Sequence, residues 1–318
     1  MRDRISISPA LYRRVTFLAL VALCFIVVTG GAVRVTGSGL GCPDWPTCAE
    51  GRIVAPLEYH ALVEFVNRTV TGLVSVLVIV AVLGAVARRP RRSDLVRLAW
   101  GLVLGVVGQI VLGGLVVLFH LAPPLVMGHF VLSMILVADA VVLHHRAGWP
   151  DGSEPVALTT TELRRLGTAL PVVAAVTIFL GTVVTGSGPH TGSHEGEFID
   201  RLPFEARDAA QLHGISVTVL IGLTLFTLWR ARQERAPLDV QNRGGLLLTV
   251  MAAQAGVGYL QYFTDVPALL VAVHIAGATA LWVTVLQFRL GLSGREATAG
   301  SLPGPGSETR QDLPIVSS

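Results

Sequence analysis

The chain has 318 residues, 52% of them hydrophobic and 14% charged, with a formal net charge of +3. A soluble domain carries about a quarter charged residues, so this composition excludes a soluble globular protein and indicates an integral membrane chain. All 24 basic residues are arginine, and they cluster beside apolar runs, which marks a topology signal rather than a nucleic-acid footprint.

Eight runs are long enough to cross about 30 Å of hydrocarbon: 15–33, 62–87, 98–119, 125–143, 167–184, 209–229, 245–263 and 267–288. The first follows Arg13 and Arg14 and has no small-residue cleavage site before the next polar loop, so it reads as a retained helix. "RRPRRSDLVR" (Arg88–Arg97) follows the second run. Arg146, Arg164 and Arg165 lie between the fourth and fifth, and Arg230, Arg232, Arg235 and Arg243 between the sixth and seventh. Arg289 follows the eighth. The seventh run is the weakest, because Gln254, Gln261 and several glycines interrupt it. The positive-inside rule puts both termini in the cytoplasm and the long loops 34–61 and 186–209 outside.

The expected architecture is an all-α integral membrane fold of eight transmembrane helices, arranged as two parallel pseudo-repeated four-helix bundles. Residues 1–14 form a cytoplasmic N-terminus, 15–147 the first bundle, 148–166 a cytoplasmic linker and 167–290 the second bundle. Residues 291–318, rich in Gly, Ser, Pro and Thr, read as a disordered tail.

The repeat is written in matched residues. "TGSG" occurs at 36–39 and at 185–188. Gln109 pairs with Gln254 and His129 with His274, both at an offset of 145. "VEFVNRTVTG" aligns with "AQLHGISVTV", which sets Asn67 opposite His213 at an offset of 146. Four helices return the chain to the same side, so the two copies run parallel, related by an axis along the membrane normal.

In the outer loop, Cys42 and Cys48 of "GCPDWPTC" lie in an oxidising compartment, with two prolines bending the segment between them. They read as a disulfide, against the alternative of two free thiols. Cys24 reads as a small core residue.

Ionisable side chains inside spans are costly and face the bundle interior. His213, His274 and His129 fall at one depth near the outer ends of the sixth, eighth and fourth runs. Neutral imidazoles on facing helices hold heme iron axially, so His213 and His274 are expected to ligate a heme, against the plainer reading of hydrogen-bonded packing residues. The first half keeps His129 but has Asn67, a poor iron ligand, where the partner histidine would be. Glu64 lies one turn further out, and Arg68 follows Asn67. They read either as an interfacial ion pair or as a carboxylate for the chemistry and a cation for a propionate. His144 and His145 are expected to be solvated, and His60, His120, His190 and His194 to lie at the surface.

At this point the residues resemble a family. "TGGAVRVTGSGLGCPDWPTC", "VEFVNR", "VMGHFVLSM", "TVVTGSGPHTG", "LHGISV" and "VHIAGATALWV", in this order, are similar to heme A synthase over roughly residues 12–290. The resemblance implies a bacterial plasma-membrane enzyme that oxidises the C8 methyl group of heme O to a formyl group, with water as oxygen source. It implies a resident heme b held by His213 and His274, and a substrate heme O in the first half. There the family pattern is Glu, then His three residues on, plus a fourth-helix His; Glu64 and His129 match and Asn67 departs. Glu64 would then be catalytic, His129, Asn67 and Arg68 would line the substrate site, and Cys42 and Cys48 match the paired outer cysteines. A quinone-type electron acceptor and a hand-off from heme O synthase are the partners expected. Two rivals stand beside it: a b-type cytochrome that only transfers electrons, and a transporter built on the same repeat.

Overall fold

The computed structural model describes residues 6–194 and 199–297. In chain order these form α1 (Pro9–Val35), α2 (Tyr59–Ala87), α3 (Ser93–Leu118), α4 (Pro123–Ala147), β1 (Ser153–Ala157), α5 (Thr161–Ser187), α6 (Ala206–Gln233), α7 (Leu238–Phe263), α8 (Ala268–Gly291) and β2 (Ser293–Ala297). All eight helices are long and apolar enough to cross a membrane. At 24 to 29 residues they span about 36–44 Å, longer than the hydrocarbon core. They extend past their apolar runs mainly at the Arg-rich end. α1 starts at Pro9, where Ser8 Oγ accepts the Leu11 N–H at 3.2 Å. α5 starts at Thr161, where Thr160 Oγ1 accepts the Leu163 N–H at 3.2 Å. Such caps satisfy amides that the helix leaves unpaired, and arginines on these first turns reach the headgroup level.

Each set of four helices closes into a ring: α1 packs on α2, α2 on α3, α3 on α4 and α4 on α1, with the same sequence of neighbours for α5 to α8. The rings join through α1 with α8, α4 with α8 and α4 with α5. Trp282 on α8 donates to the Met134 carbonyl on α4 at 2.9 Å, a buried bond across this joint. The tight α3–α4 and α7–α8 turns carry the same left-handed pair, His120 and Leu121 in one and Asp265 and Val266 in the other. Apolar side chains are buried at helix contacts such as Leu102, Val137, Leu247 and Val285. Large ones such as Leu83 and Leu104 stay exposed on the outside, as a lipid-facing surface requires.

One expectation is corrected. Ser293–Ala297 is not disordered: it pairs antiparallel with Ser153–Ala157 inside the expected linker, Ser153 opposite Ala297 and Ala157 opposite Ser293. Arg295 fastens it, donating to the Ser153 carbonyl at 2.7 Å and lying 4.2 Å from the centroid of the Trp149 ring. Among the described residues the fold is therefore all-helical apart from this two-stranded ribbon. The remainder of the expected tail, 298–318, lies outside the described residues, as do 1–5 and the acidic loop segment 195–198.

Candidate functional site

His213 on α6 and His274 on α8 come together near the ends of their helices that face the disulfide loop. Their ring centroids are 6.5 Å apart, with planes at 76°. His213 Nδ1 lies 3.0 Å from the Thr177 carbonyl on α5. His274 Nδ1 lies 3.1 Å from Gln254 Nε2 on α7, which also donates to the His274 carbonyl at 2.9 Å. Both Nδ1 atoms are thus engaged, and neither Nε2 has a hydrogen-bond partner among the described residues.

The 6.5 Å between the ring centroids is a spacing that suits two imidazoles sharing one metal ion. With about 1.2 Å from ring centroid to nitrogen and about 2 Å from nitrogen to metal, two imidazoles on one ion reach a centroid separation of about 6.4 Å. Gly181 and Gly258 let the rings lie flush on α5 and α7: an added Cβ would sit 3.3 Å from His213 Cε1 and 3.2 Å from His274 Cε1. Among the described residues no three His, Cys, Asp or Glu side chains converge on a common point. A porphyrin supplies four of its iron's ligands and asks only two of the protein.

In the first half a histidine and a glutamine are likewise paired, in different surroundings. His129 on α4 lies against Gly113 of α3, whose added Cβ would be 3.2 Å from His129 Cε1. Gln109 again reaches its neighbour's backbone, donating to the His129 carbonyl at 3.0 Å. Its Nε2 also lies 2.7 Å from Ser133 Oγ. Ser133 occupies the position of Ala278 in the second half, at the same offset of 145. His129 Nδ1 and Gln109 Oε1 are left buried and unpaired. Asn67 on α2 is tied to α1 through Thr29, whose hydroxyl lies 2.8 Å from Asn67 Oδ1.

Glu64 and Arg68 bind the disulfide loop to α2. Cys42 and Cys48 are joined as a disulfide. Glu64, 5% exposed, accepts the Cys42 N–H at 2.8 Å on one oxygen and Arg68 Nη2 at 2.6 Å and Nε at 3.1 Å on the other. Arg68 also donates to the carbonyls of Cys42 (2.8 Å), Asp44 (3.1 Å) and Thr47 (2.9 Å). Its guanidinium lies over Trp45, and Trp45 packs on Gly114 of α3, where a β-carbon has no room. All five N–H groups of Arg68 are engaged, so the expected propionate partner meets a guanidinium already committed to the loop.

The first "TGSG" segment and the arginine before it pack against the second segment's start and the stretch that follows it. Arg34 donates to the Thr185 carbonyl at 3.1 Å, and the Gly39 N–H to the Gly192 carbonyl at 2.7 Å. Gly37 has φ +66°, and an added Cβ would lie 2.8 Å from the Ser193 carbonyl, so glycine is required there twice over. Buried Ser38 bonds Thr36 Oγ1 at 2.9 Å and His60 Nδ1 at 3.0 Å. His60 stacks on His194 at 4.7 Å, and His190 contacts the Val266 carbonyl at 2.8 Å. His60 and His190 are therefore built into the loop packing and are not simple surface residues. His144 is likewise no solvated residue, since its Nδ1 lies 3.0 Å from Thr16 Oγ1 on α1. Asp139 was passed over in the sequence: a carboxylate within α4, set against Gly101 of α3, without a hydrogen-bond partner among the described residues.

The profile of the cytochrome oxidase assembly protein family matches residues 13–60 and 54–286. A heme A synthase of Symbiobacterium thermophilum is 34% identical over 317 residues, covering 91% of this chain and 98% of the relative. A heme A synthase of Listeria welshimeri is 27% identical over 281 residues, covering 85% and 90%. One from Geobacillus thermodenitrificans is 35% identical over 97 residues, 30% of each chain.

Proposed function

Because the chain belongs to the cytochrome oxidase assembly protein family, we propose that it is a heme A synthase, a membrane oxidoreductase that converts heme O to heme A. The observation that carries this reading is the His213–His274 pair, 6.5 Å apart with both Nε2 atoms free to ligate, beside a second, incompletely equipped copy of the same frame.

His213 and His274 would hold a heme b. When bound, this group supplies one-electron transfer away from the oxidation site. Ligation through Nε2 leaves each proton on Nδ1. The Thr177 carbonyl accepts the one on His213, which fixes ring and tautomer. For His274 the available acceptor is Gln254 Oε1, buried and unpaired as it stands, reached by a turn of the amide that gives up the Nε2 bond to the His274 carbonyl.

Heme O binds as substrate in the first half, its iron on His129. His129 Nδ1 has no such acceptor while Ser133 holds Gln109, so the ring is less firmly set and a weaker ligand. Asn67 adds little, and a substrate that must leave benefits from one weak axial bond. The C8 methyl group is oxidised in two hydroxylation steps with loss of water from the gem-diol. The balance is R–CH3 + H2O → R–CHO + 4 H+ + 4 e−, with water as oxygen source. The four electrons and four protons pass in the end to a quinone-type acceptor in the bilayer. Glu64 is the buried carboxylate one turn from Asn67 and assists this oxidation, while Arg68 holds the outer loop closed. Heme O synthase is the donor of substrate. The chain sits in a bacterial plasma membrane with its Arg-rich face and both termini in the cytoplasm.

Asn67→His tests the substrate half. A second imidazole opposite His129 is expected to give substrate heme a six-coordinate, low-spin spectrum and raise the amount that co-purifies. One added axial bond of about 1.4 kcal/mol corresponds to roughly tenfold slower release. Unchanged occupancy and spectrum would mean that Asn67 does not face the substrate iron.

A further inference from the structure

We propose that the groove between the Arg-rich ends of α5 and α8 is a binding site for the phosphate headgroup of one anionic phospholipid. A cavity of about 560 Å³ opens there, lined by Arg164, Arg165 and Thr168 of α5 and Arg289 of α8, with Val172 and Val173 forming an apolar wall.

The charges in this groove are uncompensated. Four arginines elsewhere on the same face are matched to acids, Arg88 with Asp151, Arg92 with Asp94, Arg230 with Glu162 and Arg243 with Asp239, while, among the described residues, others such as Arg97 and Arg232 are not. Among the described residues Arg164, Arg165 and Arg289 have no carboxylate partner. Arg164 Nη2 donates to Thr161 Oγ1 at 3.1 Å and Arg289 Nε to Thr168 Oγ1 at 2.9 Å. Arg164 Nε is buried and unpaired. Glu162, the acid nearest in sequence, is taken by Arg230 at 2.6 Å. Guanidinium forks with N–H groups to spare suit phosphate oxygens.

Depth decides between a lipid and a soluble anion. Arg164 and Arg165 lie in the first turns of α5 and Arg289 in the last turn of α8, at headgroup level. Val172 is two turns deeper, about 12 Å down the helix, and is 61% exposed. A phosphate above an apolar wall that runs into the bilayer is the layout of a phospholipid. Basic pockets between helices on the cytoplasmic side bind anionic headgroups in this way, whereas a soluble phosphate would leave the wall unused.

The test is native mass spectrometry of the full chain, released from detergent containing equal phosphatidylglycerol and phosphatidylcholine. The wild type is expected to retain one phosphatidylglycerol in preference to phosphatidylcholine. Arg164→Gln/Arg289→Gln should retain it about fivefold less per arginine removed. Arg165→Glu alters only an exposed side chain and should weaken retention on its own, which keeps the test decisive if the double variant folds poorly. Arg97→Gln, an exposed arginine of α3, should retain lipid as the wild type does. Equal retention in all variants, or no preference over phosphatidylcholine, would overturn the site. Displacement of the lipid by millimolar inorganic phosphate would make it a soluble-anion site and equally overturn the proposal.

Discussion

Alanine at His213 or at His274 is expected to abolish the low-spin absorption of a bis-histidine heme in the purified protein, while His129→Ala leaves that absorption in place. In the proposed site each ring would be one of two protein ligands, so removing either would leave the iron five-coordinate and high-spin, or the heme lost. The surviving ring cannot compensate, because the Thr177 carbonyl holds His213 and Gln254 holds His274. Stability should fall with occupancy. A ligand that binds only the folded state at 100 to 1,000 times its Kd adds about 2.7–4.1 kcal/mol, and the alanine variants forgo it. Electron paramagnetic resonance and a pyridine hemochrome assay read spin state and heme content separately. A wild-type low-spin signal in either variant would remove that histidine from the ligand set.

Glu64→Gln is expected to lower turnover of heme O by a factor of about 10²–10⁴, the range for loss of a general acid or base, with only moderate loss of stability. The reason lies in how Glu64 is held. A glutamine can still accept either the Cys42 N–H or an Arg68 N–H through its one carbonyl oxygen. Its NH2 group faces the other donor, at a cost of about 1–3 kcal/mol. Arg68→Ala is the contrasting variant. It strands a buried carboxylate and frees three loop carbonyls, a change expected to cost about 3–5 kcal/mol and to expose the Cys42–Cys48 loop to proteolysis. If the two variants lose activity only in proportion to lost melting temperature, Glu64 is a loop clamp and nothing more. Full turnover in Glu64→Gln would likewise end its chemical role.

Most of the frame was legible because membrane spans are written in composition. Eight apolar runs and their flanking arginines translate directly into eight helices, and even the weak seventh run is a helix of full length, Leu238–Phe263. The histidine pair was legible too, since an imidazole in an apolar run carries a cost that only an interior role offsets. What stayed hidden were partners defined by backbone atoms or by spatial neighbours. Nothing in the sequence marks the Thr177 carbonyl as the partner of His213, or Ser133 as the residue that draws Gln109 away from His129 Nδ1. Arg68 looked free for a propionate because its loop acceptors are carbonyls, which every residue has. The β1–β2 ribbon was missed for a similar reason: Ser293–Ala297 has no alternating apolar pattern, and its order comes from pairing with β1 and from Arg295 against Trp149.

The most direct measurement is heme extraction and chromatography with mass detection, on full-length protein produced with and without a source of heme O. Heme b in both samples, joined by heme A or its hydroxylated precursor only when heme O is supplied, is the expected result. It would identify an oxidising synthase with one resident and one substrate heme. Heme b alone in both samples, with no modified porphyrin, would contradict the synthase reading and favour a cytochrome that only transfers electrons.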